Sequence, residues 1–409
     1  MSANAKFSVA VLVFALALRS ITLTFVLPKL RPDADPDSYR SLGRSLAAGK
    51  GFVAVAASGR ELPNVARTPV YPLFLTGLMY VGGDHLGLFL AAQCVLGAVT
   101  CALTVALAAR WLRPHMAMIA GLLVALDPNS VLRCVDLRTE TLFTLLVAGA
   151  ACLMVWRPDR TWGWFASGLL WSLAALTRPI AIWIWVVALV IASAHRVSWR
   201  DRAVYSAAFL IGFLPLEGVW AARNHAVTTH YFISTIGTHN LLLYRAAGVD
   251  AELERRKLEN VQQDFREKYG DIQLVDDPMR LDEALRVYRR IAVKKLFAAP
   301  LTTMKQAVVG WGKLLFGPGV RALDNSLGQT EPAANWWPPV YSLALVVVVF
   351  LAVVGAMRLG REAIVPALLA LYFVALAGGP ESNSRFRVPI TPMLAVLAVA
   401  AVPAARRQP

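Results

Sequence analysis

Three aspartates at alternate positions, Asp33, Asp35 and Asp37, lie just beyond the first apolar run of the chain. Like charges this close raise one another's proton affinity, so at least one of them can serve as a proton acceptor near neutral pH. Their oxygens can equally hold a divalent cation, Mg2+ or Mn2+. A solvated turn capping the helix that follows, residues 38–48, would use the same side chains with no chemistry at all. Arg67 opens Arg67-Thr68-Pro69-Val70-Tyr71-Pro72, where a guanidinium can grip a phosphate bidentately or anchor a helix to lipid headgroups. Glu140 follows Arg133, Asp136 and Arg138 and begins another apolar run, a place where an acid either compensates a helix dipole or works on a substrate. Arg178-Pro179 and Trp220-Ala221-Ala222-Arg223-Asn224-His225 mark two further run ends, with Glu217 just inside the second. Arg385 and Arg387 flank Phe386 ahead of the last apolar run, and Arg19 stands inside the first. An intramembrane arginine is a functional candidate by default, and a structural pair with Glu217 is an equal reading of Arg19.

The elements that must position these residues are set by composition. Of 409 residues 57% are hydrophobic and only 16% charged, against roughly 45–50% and about 25% in soluble domains. Disorder, collagen and an ordinary soluble enzyme are excluded, and an all-α polytopic membrane protein remains. Ten apolar runs are candidate spans: 7–27, 86–109, 116–132, 141–156, 162–177, 180–194, 203–222, 339–357, 363–377 and 388–404. Several fall short of the roughly 17–25 residues of a spanning helix and extend into aromatic or arginine-bearing ends. Tryptophans 111, 156, 162, 164, 220, 336 and 337 sit at run ends, as an interfacial belt requires. The first run has no cleavage site followed by a polar domain, so it reads as a retained span.

The net charge of +15 is distributed as the positive-inside rule demands. With the N-terminus cytoplasmic, the inside segments 1–6, 110–115, 157–161, 195–202, 358–362 and 405–409 carry 12 basic residues against three acids. This threading needs Val70–Gly82 to stay on the outer side as an interfacial or re-entrant helix. Two outer segments result, 28–85 and the nearly charge-balanced 223–335, giving a membrane module over 1–222, an outer segment over 223–335 and C-terminal spans over 336–409. In the outer segment, Asp277-Pro278 reads as a helix start. Leu281, Leu285, Tyr288 and Ala292 repeat at helical spacing with one buried face, and 301–316 reads as an amphipathic helix able to lie on the bilayer. Four cysteines (94, 101, 134, 152) form neither a disulfide framework nor a metal spacing. The chemistry-bearing residues thus fall on the outer side, where carboxylates and arginines can hold a lipid-linked phosphate while an acid works on what it carries.

The ordered set Asp35-x-x-x-Tyr39, Leu46-Ala47-Ala48-Gly49-Lys50-Gly51-Phe52, Arg67-Thr68-Pro69-Val70-Tyr71-Pro72, Thr139-Glu140-Thr141-Leu142-Phe143, Thr177-Arg178-Pro179, Trp220-Ala221-Ala222-Arg223-Asn224 and Arg385-Phe386-Arg387-Val388-Pro389 resembles the GT-C superfamily of membrane glycosyltransferases. The resemblance is to the aminoarabinose transferase and protein O-mannosyltransferase branch. It implies a GT-C-like bundle of about 10 to 12 transmembrane helices with interfacial helices in the first outer loop and a large outer loop domain. It implies inverting transfer of a sugar from a polyprenyl-phosphate donor to a lipid, glycan or protein acceptor at the outer face of a bacterial cytoplasmic membrane. By motif, the first-loop acid falls on Asp35, with Asp37 as the alternative, and the second acid on Glu140. Arg67, Arg178, Arg385 and Arg387 become donor-phosphate contacts, and Tyr39, Tyr71, Arg223 and Asn224 substrate contacts. Arg67-Thr68-Pro69 stands where part of the family has Lys-Pro-Pro, a change that keeps the charge. A metal on Asp33, Asp35 and Asp37 stays open, since the family divides on this point. The competing class is a membrane carrier or lipid flippase, which needs polar residues deep in several spans, and only Arg19 and Asp127 lie so deep. A non-catalytic scaffold is a third reading.

Overall fold

The computed structural model describes residues 2–30, 33, 35–55, 59–195, 197–270, 278–319 and 337–406, with 278–280 described for their backbone alone. The helix start expected at Asp277 lies outside the described residues, as do Trp336, Arg196 and Arg407. Every one of the ten apolar runs is helical. The chain forms α1 (Ala3–Val26), α2 (Tyr39–Ala47), α3 (Val70–Gly82), α4 (Leu86–Ala108), α5 (Pro114–Leu126), α6 (Pro128–Cys134), α7 (Glu140–Trp156), α8 (Thr161–Ala175), α9 (Ile184–Ala194) and α10 (Trp199–Thr228). It continues through α11 (Ile236–Asn240), a π-helical turn at Leu241–Ala246, α12 (Ala247–Leu253), α13 (Leu258–Tyr269), α14 (Pro278–Ala298), α15 (Pro300–Phe316), α16 (Trp337–Leu359), α17 (Ile364–Ala377) and α18 (Thr391–Ala400). Among the described residues four helical stretches are long and apolar enough to cross a bilayer: Ala3–Lys29, Leu86–Ala108, Trp199–Thr228 and Trp337–Ala377. The α5–α6 pair, bent by 59°, counts as a fifth, and shorter apolar helices include Val70–Gly82, Glu140–Trp156 and Pro179–Ala194. The protein is an all-α, multi-pass membrane protein. The departure from helix is a two-stranded ribbon, β1 (Val53–Val55) against β2 (Glu61–Pro63), in the first loop.

Glycine lets α8 approach α10, and α16 approach α18, closely. A Cβ on Gly168 of α8 would collide with the carbonyl of Phe209, and one on Gly212 of α10 with that of Phe165. Gly355 of α16 similarly abuts the Leu397 carbonyl of α18. Small residues at such crossings replace the hydrophobic drive that lipid removes.

The two ends of the bundle are chemically distinct. At one end Arg113 donates its backbone N–H to the Ala405 carbonyl, Arg406 donates to the Arg358 carbonyl at 3.1 Å and reaches Glu362 at 3.6 Å, and Trp164 Nε1 donates to the Pro158 carbonyl at 3.0 Å. These are segments that the charge asymmetry assigns to one side, so the threading and the packing agree. The α16–α17 connection turns back at this basic end, through Gly360 at φ +59°, a left-handed conformation natural to glycine.

The opposite end carries the first loop. Helix α3 spans 13 residues, about 20 Å at 1.5 Å per residue, against a hydrocarbon core of about 30 Å. Its first residue bonds back to the Leu176 carbonyl, and the turn after it presents Asp84 to Arg40 at 2.6 Å. Both of its ends therefore stay at this face, as an interfacial helix does. Helix α10 runs past residue 222 to Thr228, so the outer segment begins inside a helix. That segment has its own core of Leu242, Leu243, Ala246, Val261, Phe265, Leu281, Tyr288 and Ala292, with Leu285 packed at its edge, which matches the expected helical face.

Candidate functional site

Five segments far apart in sequence deliver charged side chains to one cavity at the end opposite the basic loops. The turn before α2 brings Asp37. The loop ahead of α3 brings Arg67, whose N–H and that of Ala66 are held by Asn64 Oδ1 at 2.9 and 3.2 Å. The first turn of α7 brings Glu140, where the helix dipole favours an anion. The end of α8, stopped by Pro179, brings Arg178, and the 3-10 turn Ser384–Ile390 brings Arg385. The cavity holds about 570 Å³, and its lining also includes Tyr39, Thr139, Thr177, Trp183, Asn240, Arg245, Glu381 and Phe386.

Its electrostatics are a set of coupled pairs. Arg178 Nη1 lies 2.6 Å from Glu140 Oε1, and Arg385 Nε lies 3.6 Å from the same oxygen. Glu140 is 1% exposed, and its other oxygen, like Arg385 Nε, is buried without a hydrogen-bond partner. Arg178 lies over Phe143 and Phe386 at 5.8 and 5.5 Å, and Arg385 over Phe386 at 5.2 Å. Asp37 Oδ2 accepts from Arg138 at 2.8 Å, while its Oδ1 stands 3.5 Å from Arg67. Arg138 is itself held by Asp136 at 3.0 Å, and Asp136 by Arg133 at 2.5 Å. Burial pushes the Asp136 carboxyl up from its usual range against the pull of these two arginines. Burial lowers the proton affinity of Arg385, and the neighbouring Arg178 and Arg138 add to that while Glu140 opposes it.

The structure brings together Asp37, Tyr39, Arg67, Glu140, Arg178 and Arg385, and leaves other candidates outside the cavity. Asp35 caps α2: its oxygens accept from the Arg40 N–H at 2.9 Å, the Ser41 N–H at 2.8 Å and the Ser41 hydroxyl at 2.7 Å. Arg387 is buried and donates to the carbonyls of Leu314, Leu315 and Gly317 at 2.9, 3.2 and 3.1 Å, closing the end of α15. Tyr71 donates to Gln93 at 2.7 Å, and Gln93 in turn holds the carbonyls of Cys134 and Asp136, so Tyr71 supports the turn that carries Arg138. Arg223 donates to the carbonyls of Asn64 and Phe52 at 2.7 and 3.0 Å, and Asn224 to those of Phe232 and Ile233, fixing the first loop on α10. Arg19 does not meet Glu217. It donates to the carbonyls of Ala15 and Ala125, and Glu217 accepts from Ser172 at 3.3 Å.

Asp35 is spent on the helix cap and Asp37 is bound by two guanidiniums, and among the described residues no three His, Cys, Asp or Glu side chains are grouped as metal ligands. Sequence reasoning passed over Arg138, Arg245 and Glu381 as site residues. Arg138 could have been found from the alternating charges Arg133, Asp136, Arg138 and Glu140, whereas Arg245 carries no local signal.

A bundle with an interfacial first loop and one charged cavity at its face is similar in fold to solved membrane oligosaccharyltransferases. Residues 66–220 match the family described as dolichyl-phosphate-mannose-protein mannosyltransferase. The oligosaccharyltransferase AglB of Archaeoglobus fulgidus, solved with an inhibitory peptide and a dolichol-phosphate, superposes with a TM-score of 0.56 at 12% identity over 96% of this chain. The apo form of the Archaeoglobus fulgidus oligosaccharyltransferase gives 0.58 at 12% identity over 97%. The chain spans half the length of each of these, 50%. ArnT of Cupriavidus metallidurans bound to undecaprenyl phosphate matches over 95% of this chain and 77% of its own, at 16% identity and a TM-score of 0.43. A search of curated proteins by sequence finds no match.

Proposed function

We propose that this protein is an inverting glycosyltransferase that moves a sugar from a polyprenyl-phosphate donor to a hydroxyl or amine of a lipid, glycan or protein acceptor, on the outer face of a bacterial cytoplasmic membrane. The observation that carries the reading is the convergence of Asp37 and Glu140 with Arg67, Arg178 and Arg385 around one cavity. Arg178 is matched by Glu140, and Arg385 has no close carboxylate of its own, so the lining has cationic capacity for a phosphate.

Asp37, in place of Asp35, is the base in this scheme because it faces the cavity. Its Oδ2 is held by Arg138, and the long contact of Oδ1 to Arg67 leaves that oxygen able to take a proton. The acceptor O–H or N–H gives its proton to Asp37 as the new bond to the sugar C1 forms. The C1–O bond to phosphate breaks, and polyprenyl phosphate leaves with its charge on Arg385, Arg178 and Arg67. A leaving group already anionic and clamped needs no general acid. Glu140 orients Arg178 and Arg385 and offers its free oxygen to positive charge developing at C1.

The test is to incubate purified protein with radiolabelled polyprenyl-phosphate sugars and an acceptor extract and to follow release of polyprenyl phosphate. Release abolished by Asp37→Asn in a normally inserted protein supports the scheme. Native release by that variant refutes the role of Asp37, and the absence of release by the unmodified protein with every donor refutes the function.

A further inference from the structure

The cavity lining carries a second charge pair that the scheme above leaves without a task. Arg245, on the π-helical turn, donates from Nε to Glu381 Oε1 at 2.9 Å and from Nη2 to the Leu376 carbonyl at 2.7 Å. Both side chains line the cavity. Glu381 Oε2 is buried and has no hydrogen-bond partner.

The carboxylate is also rigidly placed. Glu381 folds over Gly379, where any Cβ would strike it, Gly379 abuts Gly310 of α15, and Pro380 packs on Gly248 of α12. A turn of glycines therefore seats the outer helices against the segment that carries Glu381. The same segment delivers Arg385, four positions on, to the phosphate side of the cavity. A ring attached to that phosphate would extend from Arg385 along this wall. A guanidinium beside a carboxylate offers donors next to acceptors, which complements a pair of neighbouring sugar hydroxyls. Trp183, exposed at the cavity, adds an aromatic face for the apolar side of such a ring.

We infer that Arg245 and Glu381 form the subsite that binds hydroxyl groups of the sugar carried by the donor. This rests on the glycosyltransferase reading, and the experiment separates the two. Full-length protein in detergent is titrated with dolichyl phosphate and with dolichyl phosphate bearing mannose, glucose or aminoarabinose, for the unmodified chain, Glu381→Gln and Arg385→Gln. Glu381→Gln should bind bare dolichyl phosphate as the unmodified chain does, which also shows that it is folded, and should lose about 10- to 100-fold in affinity for the preferred sugar-bearing lipid. Arg385→Gln should weaken both kinds of lipid alike. Undiminished affinity of Glu381→Gln for every sugar-bearing lipid overturns the inference, as does its loss of bare dolichyl phosphate, which would make the pair a scaffold. If the unmodified chain binds bare and sugar-bearing lipids equally, the subsite fails while the phosphate site stands. If it binds no lipid phosphate at all, the glycosyltransferase reading itself fails.

Discussion

Arg138 donates from Nη1 to Oδ2 of Asp37 at 2.8 Å, tying the turn before α7 to the first loop across 101 positions of sequence. The bond is one link in a chain running Arg133, Asp136, Arg138, Asp37 and Arg67, in which every charge is held by its opposite. Asp37 is thereby presented to the cavity in a fixed orientation. Because Arg138 acts through Asp37 and lies behind it, Arg138→Gln should lower kcat by about 10²-fold, the scale of a small misplacement of a reacting group. KM for the lipid donor should stay within about twofold, and Arg138→Lys should recover part of the rate by restoring the charge. Equal losses in kcat and donor affinity would instead make Arg138 a phosphate ligand.

The two neighbouring aspartates should separate cleanly. Asp37→Asn should reduce transfer by about 10²–10⁴-fold, the range for a positioned base. Asp35→Ala should leave the rate near native and lower stability by about 0.5–2 kcal/mol, the usual effect of deleting a helix cap. Steady-state transfer and thermal unfolding of both variants in one detergent would show it. A dead Asp35→Ala enzyme with intact unfolding would return the base to Asp35.

These two residues also show what was legible from sequence and what was not. The sequence reading kept helix capping open for the three aspartates, but motif spacing favoured Asp35, and spacing cannot tell which of two carboxylates turns back onto its own helix. Glu140 stands out as an acid at a helix start, Arg67 as a guanidinium able to grip a phosphate and Arg385 as an outer arginine costly to topology, and these meet Arg178 at the cavity. Arg387 carries the same cost, yet its guanidinium serves three carbonyls at the end of α15, a partner invisible without the fold. Arg223 and Tyr71 lie outside the cavity for a related reason. Their polar atoms are used up by backbone and amide groups of the first loop and the Gln93 network. The apolar runs survived nearly intact because hydrophobic period and length report directly on helices in lipid. Arg245 did not, because its pairing with Glu381 is set by tertiary packing over 136 positions.

Chelation gives a third test. Asp35 is occupied by the α2 cap and Asp37 Oδ2 by Arg138, and in the proposed scheme Asp37 Oδ1 takes a proton with no cation involved. Transfer measured after exhaustive EDTA treatment should match the untreated rate, and adding Mg2+ or Mn2+ should change it by less than about twofold. A rate that collapses with chelator and returns with Mn2+ would require a different ligand set.

The two arginines flanking Phe386 should behave as opposites. Arg385 lies at the cavity with a buried Nε that has no hydrogen-bond partner, and the nearest carboxylate oxygen, 3.6 Å away, is already taken by Arg178 at 2.6 Å. An incoming phosphate would satisfy that nitrogen, so Arg385→Ala should weaken binding of dolichyl phosphate by about 10- to 100-fold. It should do so with little loss of stability, because the neighbouring Arg178–Glu140 pair remains. Arg387, 1% exposed, instead satisfies three buried carbonyls and accordingly holds the end of α15. Arg387→Ala strands those acceptors at about 1–3 kcal/mol for each one left unpaired, so it should lower the unfolding temperature sharply. Protein of this variant that remains folded at low temperature should bind dolichyl phosphate as the unmodified chain does. Isothermal titration and thermal unfolding on the same preparations distinguish the roles, and a stable Arg387→Ala protein that has lost lipid phosphate would reverse the assignment.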